Sequence, residues 1–140
     1  MAAPRPRWFP APRAGDIVWC LFPQHRLAGA GPKPRPAVMV RVGESEGHPV
    51  AEVAYGMSQK VDLLYAGEFV IAPGDAAFAA SGLSYPTKFD LGETFELDFD
   101  DIWFSVPPGA PHGQTPKLGI LHPSLMRRAE AAAQAAKNSR

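Results

Sequence analysis

The sequence predicts a mainly β domain, a small, partly open and strongly bent barrel that carries one short internal helix and one C-terminal helix. Two observations support this fold class. Short apolar runs bounded by glycine and proline recur along the chain, and such runs are typical of strands. The 16 prolines and 13 glycines suit strands joined by turns better than they suit a helical bundle. A length of 140 residues fits one domain with a core of its own.

Five to seven short strands are expected. The first apolar run, residues 17–22, ends at Pro23 because proline cannot donate to a strand ladder. The clearest strand is residues 93–99, in which phenylalanine and leucine alternate with polar side chains and would form one buried face. The other strands are expected at residues 37–42, 50–55, 68–71, 84–91 and 117–121.

Two helices are expected. Residues 75–80 would form one or two turns, with Asp75 as the N-cap and Gly82 as the residue that ends the helix. An alanine-rich closing helix would run from Leu125 to about Lys137, with Ser124 as its cap. Its apolar side, formed by Leu125, Met126 and Ala129, would pack on the barrel.

The domain boundaries follow from composition. Residues 1–14 hold four prolines and three arginines and are predicted to form a flexible, basic N-terminal arm. Trp8 and Phe9 either pin this arm to the barrel or lie exposed. The folded domain is expected to span residues 15–137, and residues 138–140 would be a frayed end.

Charge, cysteine content and hydropathy argue against a polycation, a cysteine nucleophile, a membrane-spanning protein and a secreted protein. Fourteen basic and fourteen acidic residues cancel, so a nucleic-acid site would have to come from local clustering of cations. The single cysteine, Cys20, lies in an apolar run and is interpreted as a buried hydrophobe rather than a nucleophile. No apolar stretch approaches the roughly 20 residues that span a bilayer. The N-terminus lacks the apolar core of a secretory signal, so a cytoplasmic protein is expected.

No strong cofactor or metal motif is present. The sequence lacks a phosphate-binding glycine loop, and its four histidines do not have the spacing of zinc ligands. Of the four, only His25 lies in a loop that is expected to be functional, the long loop at residues 24–36. The acidic residues between 90 and 101 are interpreted as the solvated face of a strand.

Three polar segments that carry cations each lie beside a predicted strand, at residues 33–37, 58–60 and 87–90. Because neighbouring strand ends lie close together in a small barrel, these segments could share one cleft. Such a cluster suits a phosphodiester, since cations hold the phosphate and charge-assisted donors stabilise its transition state. The alternative is that these residues are ordinary surface charges.

Four segments, in order, resemble the PemK/MazF family of growth-inhibitor toxins. Residues 15–23 (GDIVWCLFP) resemble its opening strand, typically G-D-I-V-W-x-x-F-P, and residues 33–40 (KPRPAVMV) its second strand, commonly K-x-R-P-A-L-V-V. Residues 54–59 (AYGMSQ) are similar to the Y-G-T-S-Q segment of one branch of the family. Residues 86–91 (PTKFDL) are similar to that branch's P-T-K/R-F-D-L. The resemblance extends from about residue 14 to about residue 128.

The resemblance implies an SH3-like, CcdB/PemK-like barrel, usually a homodimer. It implies an endoribonuclease that cleaves single-stranded RNA without metal or cofactor and is neutralised by an antitoxin protein. Arg35 would stabilise the transition state, with Ser58 beside it. The other polar residues of these segments and of the long loop are expected to contact substrate: Lys33, Gln59, Lys60, Thr87, Lys88, Asp90 and His25.

The chemistry that the resemblance implies is attack by a 2′-OH on the adjacent phosphate. The candidate bases for this proton transfer are Asp90 and His25. Unpaired bases of the RNA would stack on aromatic side chains, for which the candidates are Tyr55, Phe89 and Trp19.

Position 57 departs from the family pattern, because Met57 stands where the family has threonine. Methionine cannot donate a hydrogen bond to a phosphate. Either Ser58 takes over this role, or the activity is weakened or lost. The second interpretation of the sequence is therefore a catalytically weak or inactive SH3-like module that binds protein or nucleic acid through the same groove.

Overall fold

The computed structural model describes residues 5–22 and 33–139 of the chain. The described residues form these strands and helices: β1 Asp16–Phe22, β2 Lys33–Ser45, β3 His48–Met57, β4 Glu68–Ile71, α1 Phe78–Ser81, β5 Thr87–Asp90, β6 Phe95–Asp98, β7 Lys117–Ile120 and α2 Met126–Asn138. The predicted fold class is confirmed, because the chain is mainly β and its seven described strands form an antiparallel half-barrel with a short helix and a C-terminal helix.

The strands lie in the spatial order β4-β5-β3-β2-β1-β7, and β6 pairs with the first half of β3. A long hairpin joins β2 to β3 through Glu46 and Gly47, whose φ angles of 52° and 80° are those that a tight hairpin turn requires. A register shift between Met39 and Arg41 bends β2. Both strands extend beyond the predicted residues 37–42 and 50–55. Their mutual ladder includes the residues beside the turn, the start of β2 also pairs with β1, and the end of β3 pairs with β5.

Two clusters of buried side chains form the core. The first lies where the helices meet the sheet and includes Ile17, Val38, Phe69, Ile71, Phe89, Leu121, Leu125, Ala129 and Ala132. The second includes Phe9, Val18, Cys20, Met39, Val53, Phe99 and Phe104. Cys20 is fully buried, which confirms its interpretation as a core residue, and burial raises the pKa of its thiol to about 12. Such a thiol is no nucleophile at neutral pH.

The short helix begins later than predicted, and the N-cap prediction for Asp75 is wrong. The helix starts at Phe78 with no side-chain cap, while Asp75 accepts a hydrogen bond from the Ala72 N–H and pairs with Arg128. Gly82 ends the helix in the left-handed conformation, with φ 71°, as predicted.

The closing helix α2 follows a 3₁₀ turn, Pro123–Leu125, and the predicted cap by Ser124 is wrong. Leu125 precedes the helix without a side-chain cap, and the Ser124 N–H donates to the ring of His122. Leu125 and Ala129 are buried as predicted, whereas Met126 is 41% exposed. No helix in the described part of the chain is long and apolar enough to cross a membrane.

The strand predicted at residues 93–99 forms as β6, but its apolar side is only partly covered. Phe99 is buried, whereas Phe95 at the start of the strand is 36% exposed. Because β6 pairs with β3 alone among the described strands, it forms a rim of the sheet rather than its centre.

The described part of the N-terminal arm, residues 5–14, lies against the barrel. The Phe9 ring is buried, and its N–H donates to the carbonyl oxygen of Phe99 at 3.1 Å. The Trp8 ring stacks on His48 with ring centres 4.1 Å apart. Of the two alternatives left open by the sequence, the structure shows pinning by these two aromatic side chains.

Candidate functional site

A cleft of about 710 Å³ opens where β2 and β3 separate. Pairing between these strands begins at Ala37 and Tyr55. Toward the start of β2, Arg35 pairs with Cys20 of β1. Toward the end of β3, Gly56 and Met57 pair with β5 instead of β2. The sheet therefore forks, and the start of β2 and the end of β3 become the two sides of the cleft.

The cleft is lined by residues from both arms of the fork and from two loops, at residues 82–85 and 107–111. The described lining residues are Trp19, Pro34, Arg35, Pro36, Gly56, Met57, Ser58, Gln59, Gly82, Leu83, Ser84, Tyr85, Thr87, Pro107, Pro108, Pro111 and Leu118.

Arg35 and Trp19 reach the cleft from the first arm of the fork. In the register of β1 and β2, Trp19 lies opposite Pro36, next to the pair formed by Cys20 and Arg35. The consecutive residues Pro34, Arg35 and Pro36 all line the cleft, since no third strand covers this edge of β2 in the described part of the chain. Arg35 is half-buried there.

Ser58 and Gln59 reach the cleft from the second arm, directly after the end of β3, and both are exposed. Gly56 lets β3 approach β5 closely at this point, because a Cβ atom would lie 2.5 Å from Cγ2 of Thr87 and 2.8 Å from the Phe89 ring. Lys60, two residues further on, is exposed but does not line the cleft.

The segment 87–90 divides between the cleft and the opposite side of the sheet. Thr87 lines the cleft, and its hydroxyl donates to the carbonyl oxygen of Tyr85 at 2.9 Å. Lys88 is 3% exposed and lies away from the cleft, where its Nζ contacts Glu68 and the carbonyl oxygen of Leu63. Asp90 also lies outside the cleft and accepts a hydrogen bond from the Gly92 N–H at 2.8 Å.

The structure thus brings four of the nine sequence-predicted site residues into one cleft, namely Arg35, Ser58, Gln59 and Thr87. It does not bring Lys60, Lys88 or Asp90 there. Lys33 is the first residue of β2, directly before the lining residue Pro34. His25 lies outside the described residues.

Of the three aromatic residues predicted to stack on bases, Trp19 alone lines the cleft. Phe89 is fully buried against Phe69, with ring centres 5.6 Å apart. Tyr55 packs against Phe95, with ring centres 6.1 Å apart. Neither ring lies where a ligand in the cleft could stack on it.

Sequence reasoning missed a lining residue, Tyr85, whose side chain is 69% exposed. The available signal was its position directly before the Pro86-Thr87 motif, where a large aromatic side chain stands between Ser84 and Pro86. The structure also adds three prolines of one loop to the lining, namely Pro107, Pro108 and Pro111.

Charge in the cleft has one sign. Among the described lining residues, Arg35 carries the only charged side chain, and none is a carboxylate, a histidine or a cysteine. A phosphate that enters would therefore meet a guanidinium and several neutral donors without repulsion from an acid. In the described part of the chain, no three side chains of the metal-binding types come together as a cation site.

A comparison with protein-family models finds no match to this chain, and a comparison with curated proteins finds none either.

Proposed function

We propose that this chain is a toxin-type endoribonuclease that cleaves single-stranded RNA in the forked cleft. The observation that carries the proposal is that Arg35, Ser58 and Gln59, which come from two separate segments, line one cleft. A guanidinium and neutral donors around one concavity suit a phosphodiester. The four sequence segments that resemble the PemK/MazF family supply the choice of RNA as substrate.

In the proposed reaction, the 2′ oxygen of one nucleotide attacks its own 3′ phosphorus. The bond from phosphorus to the 5′ oxygen of the next nucleotide breaks, and that oxygen takes up a proton as the 2′-OH loses one. The products are a 2′,3′-cyclic phosphate and a free 5′-OH. No water and no external reactant enters the step.

Arg35 would stabilise the charge that develops on the two non-bridging oxygens, because its planar fork meets two oxygens at once. Ser58 and Gln59 would add a hydroxyl and an amide donor on the opposite arm of the fork. Met57, the last residue of β3 on the same arm, contributes no donor. The proposal therefore places most of the transition-state stabilisation on Arg35.

The direct test is incubation of the purified protein with long single-stranded RNA in the presence of a metal chelator. The proposal predicts fragments with a 2′,3′-cyclic phosphate or its hydrolysis product at one end and a 5′-OH at the other. The same sequence annealed into a duplex should remain intact. Absence of cleavage, or fragments with 5′-phosphate ends, would refute the proposed reaction.

The second candidate function is a binding module without catalysis. It is favoured by one observation, namely that no described lining residue is an Asp, a Glu or a His, the usual proton acceptors. A module of this kind would bind single-stranded RNA or a protein segment in the cleft and leave RNA intact. A gel-shift measurement beside the cleavage assay separates the two functions.

The proposal also includes the cytoplasm as the place of action, a homodimer, and an antitoxin protein that blocks the cleft. These parts rest on the resemblance to the toxin family. Expression in a bacterial host should arrest growth, since a free nuclease toxin degrades cellular RNA. For the homodimer, light scattering of the purified protein should give twice the mass of one chain. Normal growth on expression of folded protein would count against the toxin.

A further inference from the structure

Tyr85 is a large aromatic side chain in an unusual place, because it is 69% exposed to solvent and still lines the cleft. The described chain has other exposed large apolar side chains, and none of them lines this cleft: Val40, Leu63, Leu64, Tyr65, Phe95, Ile102, Ile120 and Met126. An exposed ring in a concave site is positioned to contact a ligand rather than the core.

The backbone that carries Tyr85 is held from both sides. Its carbonyl oxygen accepts the hydrogen bond from Thr87, and Pro86 restricts its backbone to extended conformations. Before it, the Leu83 N–H donates to the hydroxyl of Ser81 at 3.2 Å. Gly82 packs directly on the backbone carbonyl of Leu118 in β7. Because these contacts already hold the backbone at Tyr85, little backbone entropy is lost when a ligand stacks on its ring.

The surroundings of the ring favour a flat, apolar ligand. Trp19 and five prolines line the same cleft, and proline offers a ring surface but no N–H donor. Polar groups are confined mainly to the strand ends, where Arg35 supplies the one positive charge of the described lining residues. A ligand that fits this division has a flat ring next to a negative charge, as an unpaired nucleotide has.

We propose that Tyr85 is the platform on which one unpaired nucleobase of a single-stranded nucleic acid stacks while Arg35 binds the adjacent phosphate. The substrate class rests on the function proposed above. The alternative occupant, a proline-rich peptide, also stacks on aromatic rings but brings no phosphate to the guanidinium.

Stacking on Tyr85 has consequences for selectivity. Every base has a flat face, so this contact tolerates all four bases and favours purines, whose larger rings overlap more of the tyrosine. A base inside a duplex stays stacked on its neighbours and cannot reach the ring, so the platform selects unpaired strands.

The test measures binding of a short 2′-O-methyl oligonucleotide, which lacks the free 2′-OH and cannot be cleaved by the proposed reaction. Tyr85→Ala should raise the dissociation constant about tenfold or more, and Tyr85→Phe should stay within about twofold of the unchanged protein. Tyr65→Ala is the matched control, because Tyr65 is 65% exposed and lies outside the cleft. An oligonucleotide with abasic positions should bind the unchanged protein and Tyr85→Ala equally.

The outcomes separate this inference from the proposed function. RNA cleavage by the unchanged protein, with equal binding by Tyr85→Ala, would overturn the platform and leave the nuclease standing. Tyr85-dependent binding of the oligonucleotide without cleavage of RNA would support the platform and overturn the nuclease. Tyr85-dependent binding of a proline-rich peptide, with no binding of the oligonucleotide, would overturn the assignment of a nucleobase.

Discussion

The Nζ atom of Lys88 lies 2.8 Å from the carbonyl oxygen of Leu63, and this contact ties strand β5 to the loop that leaves the cleft at Ser58. The same ammonium lies 3.2 Å from Glu68, whose carboxylate also accepts the N–H of Tyr65 at 2.7 Å. Both charged side chains are largely buried, with 4% and 10% of their areas exposed. Lys88 thus holds this loop from within the fold and does not line the cleft.

Loss of the Lys88 ammonium should destabilise the fold strongly. Lys88→Met removes both contacts and leaves the buried Glu68 carboxylate without its cation, which costs about 3 kcal/mol for a pair of this kind. Urea unfolding measures the change. The double variant Lys88→Met with Glu68→Gln should lose less than the sum of the two single variants. Additive losses would contradict a coupled pair.

The packing of α1 on β7 depends on a glycine at position 119. A Cβ atom there would overlap the backbone of Ala80 and Ser81, so Gly119→Ala should lower the free energy of unfolding by about 2 kcal/mol. Gly43→Ala is the matched control, because a Cβ atom at Gly43 meets nothing within 4 Å. It should change stability by less than about 1 kcal/mol. An equal effect of the two substitutions would contradict the close contact.

The ion pair between Asp75 and Arg128 should make stability depend on pH. The Arg128 guanidinium, with help from the Ala72 N–H, holds the pKa of Asp75 below its ordinary value of 3.8. This pair therefore stabilises the fold above pH 3.8, and the gain is lost as the pH falls through the lowered folded-state pKa. Asp75→Asn should cost about 1 kcal/mol at pH 7 and less at pH 3.

Asp100 provides the comparison with the opposite sign. Burial raises the pKa of Asp100 above 3.8, so its charged form is disfavoured in the fold and stability rises as the pH falls toward 3.8. In urea unfolding at pH 7 and pH 3, Asp100→Asn should therefore lose no stability from removal of the charge at pH 7. Identical pH dependence of the Asp75 and Asp100 variants would show that at least one of the two assignments is wrong.

A hydroxyl at position 57 should strengthen the proposed nuclease. Met57→Thr places a donor in the lining of the cleft directly before Ser58, and a hydrogen bond to a charged oxygen is worth about tenfold or more in rate. Met57→Val has the same branched shape without the hydroxyl and serves as control. Initial rates of RNA cleavage compare the two. A gain by both variants, or by neither, would contradict a role for the donor.

Much of the fold was readable from local pattern. The apolar run of β1 and the short strand β4 appear close to where the sequence predicts them, and Gly82 ends its helix as expected. Local pattern failed at the caps, because Asp75 and Ser124 use their polar groups in tertiary or turn contacts instead of capping a helix. The Arg128 partner of Asp75 is set by packing, whereas the His122 partner of Ser124 belongs to the local 3₁₀ turn.

The candidate site was readable only in part. Arg35 and Ser58 were predicted from their positions at strand ends, and both line the cleft because β2 and β3 fork there. Successive side chains of a strand point to opposite sides of the sheet, so Lys88 of β5 lies on the other side from Thr87. This alternation could have been predicted from the sequence, whereas a shared cleft for all of residues 87–90 could not form. Tyr85 lines the cleft because α1 packs on β7, a contact between segments distant in sequence.

The proposed nuclease depends on the Arg35 guanidinium to stabilise the transition state, and the cleavage rate of Arg35→Ala measures that dependence. The predicted loss is on the order of 100-fold to 1,000-fold, with an unchanged midpoint of urea unfolding. The control Arg41→Ala removes an exposed arginine of the same strand that lies outside the cleft and should cleave at the rate of the unchanged protein. A folded Arg35→Ala protein that cleaves RNA as fast as the control would show that Arg35 does not stabilise the cleavage.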